Sequence, residues 1–297
     1  MNIALIHNRN AFRGEPHGTE LRRVFERARH ETAYVSTEEP NWQRVVSPGI
    51  ERVVIVGGDG TVQMVAPYLN GTPFNILPFG TANNIADCLR QTSTAEFLAS
   101  HLDQAELCQL DIGRVVRGSE STTFLECAGM GVFVELLLAM QDWPKKEQME
   151  QAESRNEKFA HALQELQKIS RAYEGMAVEL KADDDVISDR FIMIEVMNME
   201  LIGPKLHLAP DADPSDGFLD LVFVREGDRE NFCRWLESQS PGKKRASRLE
   251  TRRCRRVELS ASNMISAHVD SQVIRKPAFS LVVDVRPAAL NYAVMRA

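Results

Sequence analysis

A chain of 297 residues, 43% apolar and 26% charged, can bury the cores of two domains and has the composition of an ordinary globular protein. Its net charge of −7 argues against a general nucleic-acid binder, and five scattered cysteines without a C-x-x-C pair argue against a disulfide framework or a zinc module. The opening Met1–Ile6 has no cationic region and no later apolar run approaches a membrane span. Neither a signal peptide nor a membrane helix is predicted, and the expected location is the cytoplasm.

In chain order, the first hundred residues alternate predicted strands and helices. Asn2–His7 reads as a strand, Thr19–Arg29 as an amphipathic helix, Glu31–Val35 and Val53–Val56 as strands, and Val62–Leu69 as a helix. Phe74–Leu77 reads as a strand, followed by helical Asn83–Leu89 and Ala95–His101. That alternation predicts a parallel sheet covered by helices. From about Cys108 the pattern changes to short alternating strands: Leu107–Val116, Thr122–Gly129, Ala177–Ala182, Asp189–Asn198, Phe218–Val224, Val257–Ala261, Ser266–Val269 and Phe279–Val285. This is the pattern of an antiparallel sandwich. A helical stretch from Glu135 to Tyr173, broken at Trp143-Pro144, interrupts it; Phe159, Leu163, Leu166 and Ile169 recur there at helical spacing, which predicts a core-facing stripe. The predicted fold class is therefore an N-terminal α/β parallel-sheet domain followed by a C-terminal antiparallel β-sandwich.

The chemistry concentrates at two turns. Val53–Val56 feeds into Gly57-Gly58-Asp59-Gly60-Thr61. Glycines there let main-chain N–H groups approach phosphate oxygens, and Asp59 and Thr61 add a carboxylate and a hydroxyl suited to a magnesium–nucleotide complex. Phe74–Leu77 feeds into Pro78-Phe79-Gly80-Thr81-Ala82-Asn83-Asn84, a second glycine turn with capping residues opening a helix. Either turn alone would most simply be structural. Two of them on neighbouring parallel strands point to phosphate binding, because parallel strands bring their C-terminal ends together.

GGDGT followed by LPFGTANNIA resembles the diacylglycerol kinase catalytic-domain family, soluble lipid kinases related to sphingosine and ceramide kinases. The resemblance extends to Phe124-Leu125 through Gly129-Met130-Gly131, to Val196-Met197-Asn198 with Gly203, and to Leu208-Ala209-Pro210-Asp211-Ala212-Asp213-Pro214-Ser215-Asp216-Gly217-Phe218-Leu219-Asp220. His268-Val269-Asp270-Ser271-Gln272 stands where the family has its terminal D-G-E motif. The resemblance implies a nucleotide-binding domain of residues 1–106 joined by 288–297, with a lipid and metal domain of residues 107–287. It implies ATP held at Asn8, Thr37, Gly57, Gly58, Asp59, Gly60, Thr61, Gly80, Thr81 and Asn83. It also implies Mg2+ at Asp213, Asp216 and the Phe218 carbonyl, and catalysis by Asp270 and Asp59. The expected reaction is transfer of the γ-phosphate of ATP to the hydroxyl of diacylglycerol or a related lipid.

The chain also departs from that pattern. Ser271 replaces the motif's glycine, Gln272 its glutamate, Met64 an acid after GGDGT, and Asn84 the aspartate of GTAND; the first loop, Asn8-Arg9-Asn10-Ala11-Phe12, keeps only Asn8. An NAD kinase-like enzyme, which shares GGDGT, and a catalytically weakened nucleotide- or lipid-binding regulator therefore stand as alternatives. The basic run Lys243, Lys244, Arg245, Arg248, Arg252, Arg253, Arg255 and Arg256 is either a solvated face or a docking strip for anionic lipid, which would make membrane association transient. A homodimer is left open.

Overall fold

The computed structural model describes residues 1–10, 18–141, 155–240, 243 and 248–295. The chain forms two compact units, Met1–Asp111 with the chain from Pro287 onward, and Ile112–Arg286.

In the first unit, strands β1 (Asn2–His7), β2 (Glu31–Ser36), β3 (Arg52–Gly57) and β4 (Phe74–Pro78) run parallel, with helices α1 (Gly18–Arg27), α2 (Asp59–Val65), α3 (Asn84–Cys88) and α4 (Ala95–His101) between and after them. The sheet order is β4-β3-β1-β2, so β1 has its sequence successors on opposite sides. Every residue of β3 is buried, as its unbroken β-branched run requires of a strand covered on both faces. Ile3, Leu5, Val54 and Val56 pack with Leu21 and Phe25 of α1 and Leu98 of α4. Helix α2 starts at Asp59, three residues before the predicted Val62, because the glycine loop itself provides the first turn.

The second unit is antiparallel. Its strands are β5 (Glu106–Arg117), β6 (Glu120–Phe124), β7 (Cys127–Gly131), β8 (Met176–Ala182), β9 (Asp185–Met197), β10 (Leu201–Ile202), β11 (Leu206–His207), β12 (Leu219–Arg225), β13 (Thr251–Cys254), β14 (Arg256–Val269) and β15 (Gln272–Val294). The principal order is β13-β12-β9-β7-β14-β15; β8 pairs with β9 and β14, and β5 with β6 and β15. β5 and β15 each begin in one unit and end in the other, and the end of β15 pairs in parallel with β4 through Tyr292 and Phe74. Leu219, Leu221 and Phe223 of β12 enter one core cluster, while Val222 and Val224 enter the other, the period-2 signature of a strand buried on both faces.

The second cluster is closed by helices α5 (Val132–Gln141), α6 (Arg155–Ala172) and α7 (Arg229–Ser238). The predicted stripe is present, Leu163 and Leu166 buried with Phe159 and Ile169 packed at the margin. Trp143-Pro144 lies outside the described residues. Helix α7 was not predicted; its charged surface residues hide Phe232, Trp235 and Leu236, which recur at helical spacing and are buried. Predicted strand Thr122–Gly129 is in fact two, broken at Leu125-Glu126, and the two predicted pieces around Val257 and Ser266 are one long strand, β14, with register shifts near Ser260–Ile265. No helix among the described residues is long and apolar enough to cross a membrane.

Candidate functional site

The C-terminal ends of β1 and β3 are neighbours, and the chain leaves them toward opposite sides of the sheet. Such a switch point opens a crevice at the carboxyl edge of a parallel sheet. Asn8, just past β1, donates its Nδ2–H to the Thr61 hydroxyl at 3.0 Å and accepts the Asn10 N–H at 3.0 Å, tying the first loop to the glycine loop. Thr37 closes the end of β2, its N–H bonded to the His7 carbonyl at 2.9 Å.

The two glycine turns meet backbone to backbone. A Cβ on Gly80 would lie 2.4 Å from the Gly58 Cα, and one on Gly58 would lie 2.8 Å from the Gly80 Cα. No side chain fits at either position. Asn83 clasps the second turn, accepting the Gly80 N–H at 2.8 Å and donating to the Gly80 carbonyl at 2.9 Å, from a left-handed backbone (φ 56°) that asparagine tolerates. Gly60 and Thr81 are exposed at the rim.

Asp59 has a structural task in this arrangement. Its Oδ1 accepts the Ile85 N–H at 2.9 Å, at the start of α3. Burial raises its pKa, and the backbone N–H groups of Ile85, Asn84 and Asn83 hold it partly back. The amides that open α3, which the sequence suggested for phosphate, thus already face an internal carboxylate. Met64 is exposed, whereas Asn84 is buried at the start of α3.

In the second unit, Asp270 occupies the two-residue turn between β14 and β15, where Val269 pairs with Gln272. The left-handed residue of that turn is Asp270 itself (φ 49°), and Ser271 is not left-handed, so nothing there demands the glycine of the D-G-E pattern. The Asp270 carboxylate sits on the break between β6 and β7. Oδ1 accepts from Glu126 N at 2.8 Å and Cys127 N at 3.2 Å, and Oδ2 from Leu125 N at 3.2 Å. One lone-pair direction of Oδ2 is thereby left for a further donor. Burial pushes its pKa up to about 6, against the pull of those N–H groups and of His268. A base with that pKa is ionised at neutral pH and still basic enough to take a proton in a transition state. Gln272, the residue that pairs with Val269 across the turn, is exposed.

Two residues beside Asp270 carry no motif role. His268 Nδ1–H donates to the Asp270 carbonyl at 2.8 Å, and its Nε2 lies 2.9 and 3.1 Å from the two Glu195 oxygens; both side chains are buried. The signal available in the sequence was an acid inside the apolar run Phe191-Ile192-Met193-Ile194-Glu195-Val196. Asn198, on the next turn, donates to the Leu125 carbonyl at 2.9 Å and so braces the same break.

The predicted cation site does not fit a cation here. Asp216 Oδ2 receives the Arg253 guanidinium at 2.5 Å while its Oδ1 accepts the Phe218 N–H at 2.9 Å. Asp213 Oδ1 is engaged by the Ser215 N–H and hydroxyl at 3.0 and 2.6 Å. The Arg253 and Arg255 guanidinium groups lie 4.1 and 4.5 Å from the Phe218 ring centre. A divalent ion would have to displace one cation and sit beside another, a repulsion the donor set is too small to offset. The sequence missed this because Arg253 is distant in the chain and comes to Asp216 only through the β12–β13 pairing. Millimolar Mg2+ without nucleotide is accordingly expected to leave the Tm unchanged in a melting scan; a rise of several degrees would overturn the assignment.

Three further arginines of the basic run have acidic partners. Arg248 pairs with Asp211, Arg252 with Asp185 and Glu250, and Arg256 with Glu258. Lys244 and Arg245 lie outside the described residues.

Comparison with known proteins agrees with the layout. The profile described as "Diacylglycerol kinase catalytic domain" matches residues 2–115, and that described as "YegS C-terminal NAD kinase beta sandwich-like domain" matches residues 142–294. A diacylglycerol kinase of Bacillus subtilis (strain 168) is 25% identical over 187 residues, which span 61% of this chain and 57% of the relative. The crystal structure of a diacylglycerol kinase from Bacillus anthracis str. Sterne superposes with a TM-score of 0.74 at 16% identity, covering 99% of this chain and 97% of that one. An NAD kinase from Archaeoglobus fulgidus, solved in complex with ATP, superposes with a TM-score of 0.53 at 12% identity, covering 98% and 93%. At these identities the structural likeness establishes the fold: an α/β domain joined to a β-sandwich-like domain.

Proposed function

The chain belongs to the diacylglycerol kinase catalytic-domain family, and from that premise we propose that it is an ATP-dependent lipid kinase that phosphorylates the hydroxyl of diacylglycerol or a related lipid. The observation that carries the reading is the Asp270 carboxylate, buried, held by three backbone N–H groups and left with one open lone pair. A lipid alcohol becomes a competent nucleophile only as its proton leaves, and Asp270 is the acceptor in this reading. The nucleotide phosphates are assigned to the edge built by Asn8, Gly57–Thr61 and the Gly80 turn, where glycine backbone can approach them closely. Asp59 supports that edge as the cap of α3 rather than as the base. Magnesium is taken to arrive with ATP, and no step is assigned to a metal held by Asp213 or Asp216. Contact with the membrane through the Lys243–Arg256 run belongs to the same reading, weakened by the acidic partners of its arginines.

The test is phosphate transfer from labelled ATP to a mixed lipid extract in micelles, with NAD as a parallel acceptor and Asp270→Asn as the control for contaminating kinases. Labelled lipid absent from the variant supports the proposal. Labelled NADP, or ATP binding without transfer to either acceptor, would overturn it in favour of an NAD kinase-like enzyme or a regulator. With the right lipid, kcat/KM is expected to rise about tenfold per pH unit below the Asp270 pKa near 6 and to level off above it. A flat profile from pH 5 to 8 would remove Asp270 from the role.

A further inference from the structure

Glu195 and His268 stand on strands that are not neighbours. β7 runs between them, and in its register Gly129 is opposite both, paired with Glu195 of β9 on one side and with His268 of β14 on the other. Adjacent strands are roughly 4.8 Å apart, so side chains two strands apart meet only if the middle residue leaves the space open. Gly129 does so: a Cβ there would be 2.2 Å from a Glu195 oxygen. The row Glu195–Gly129–His268 is a built contact across a strand.

The proton inventory of this contact is constrained. A carbonyl only accepts, so His268 Nδ1 carries a hydrogen toward Asp270 O at 2.8 Å. Nε2 faces both oxygens of a carboxylate at 2.9 and 3.1 Å, so a second proton lies between them, whichever atom holds it. Both forms, imidazolium with carboxylate or imidazole with carboxylic acid, have no net charge, as a fully buried pair requires. Burial and Glu195 oppose each other on the imidazole, with the result that its pKa is raised, and burial raises that of Glu195. Cys127 Sγ lies within 4.8 Å of the two ligand atoms, a potential metal trio, but burial keeps its thiol protonated and the shared proton occupies the Glu195–His268 gap. Glu195, Asp270 on the turn and Cys127 of β7 are titratable groups beside His268, and Glu126 acts on Cys127.

We infer that Glu195 and His268 are a positioning pair that shares one proton and uses it to fix the Asp270 turn, orienting the carboxylate that acts as base; this rests on the proposed kinase reading of Asp270. The pair clamps the Asp270 carbonyl while the Leu125–Cys127 amides hold its carboxylate and the Asp270 N–H bonds to Cys127 O at 2.7 Å. Without the clamp the carboxylate loses both its fixed direction and the favourable field of the imidazole, so its proton affinity rises.

The test uses the full chain with 13Cγ-aspartate and 15N-histidine labels. His268 is expected to show a protonated Nδ1 and shifts that do not move between pH 5 and 9; an ordinary titration near its usual value of about 6.5 would overturn the shared proton. In the double variant His268→Leu with Glu195→Gln, which strands no buried charge, the Asp270 titration should move up by about one unit, with kcat at pH 7 reduced roughly tenfold and KM for ATP unchanged. His268→Asn with Glu195→Gln keeps a donor near the Nδ1 position and should restore most of both. An Asp270 titration in the His268→Leu with Glu195→Gln variant that matches the parent, or one equivalent of bound zinc by elemental analysis, would overturn the positioning role. Full turnover by Asp270→Asn, with the Asp270 titration of the parent still dependent on His268, would sink the base reading and leave the pair supported.

Discussion

Replacing Asp270 by asparagine is expected to lower kcat about 10²- to 10⁴-fold, the usual worth of a positioned general base, with ATP affinity unchanged. Asparagine keeps the shape and can still accept from Glu126 and Cys127 through its carbonyl oxygen. Its amide nitrogen, however, would then face the Leu125 N–H, donor against donor, where Asp270 Oδ2 now accepts at 3.2 Å. A stability loss of about 1–3 kcal/mol should accompany the catalytic loss. Single-turnover transfer and calorimetric ATP binding separate the two effects. Turnover within tenfold of the parent would mean that another group takes the proton.

The second large effect is expected from Gly80→Ala. The added methyl would lie 2.4 Å from the Gly58 Cα and 2.7 Å from Asn83 Oδ1, and the first of these neighbours is backbone that cannot swing away. The two loops must part, and with them the Asn83 clasp and the Asp59–Ile85 cap. A stability loss of about 1–3 kcal/mol and a fall in ATP affinity of at least roughly tenfold are expected. Gly60→Ala is the comparison: a Cβ there meets nothing within 4 Å and the residue lies in helix α2, so its melting should be unchanged or slightly raised. Equal melting of the two variants would show that the loops do not touch.

Much of the layout was legible in the chain itself. Apolar runs of strand length, helical spacing between them and two glycine turns are local signals, and they suffice for a parallel α/β unit followed by an antiparallel one. Residues flagged for the nucleotide do gather where parallel strands end: Asn8 touches Thr61, and Gly58 touches Gly80. The departures from the D-G-E pattern misled in one respect, because the glycine lost at Ser271 was not the left-handed residue of the turn.

What the sequence determined by itself, then, was the order and type of elements and the identity of the two glycine loops, since these depend on residues within a few positions of one another. Only the tertiary structure decided what each carboxylate does. Asp59 caps α3, Asp216 pairs with Arg253, Glu195 reaches His268 over Gly129, and Asp270 rests on the amides of Leu125–Cys127. A carboxylate becomes a cap, a counter-ion, a proton partner or the anchor of a turn according to the donors that strand register brings to it, and those donors lie 26 to 145 residues away in the chain.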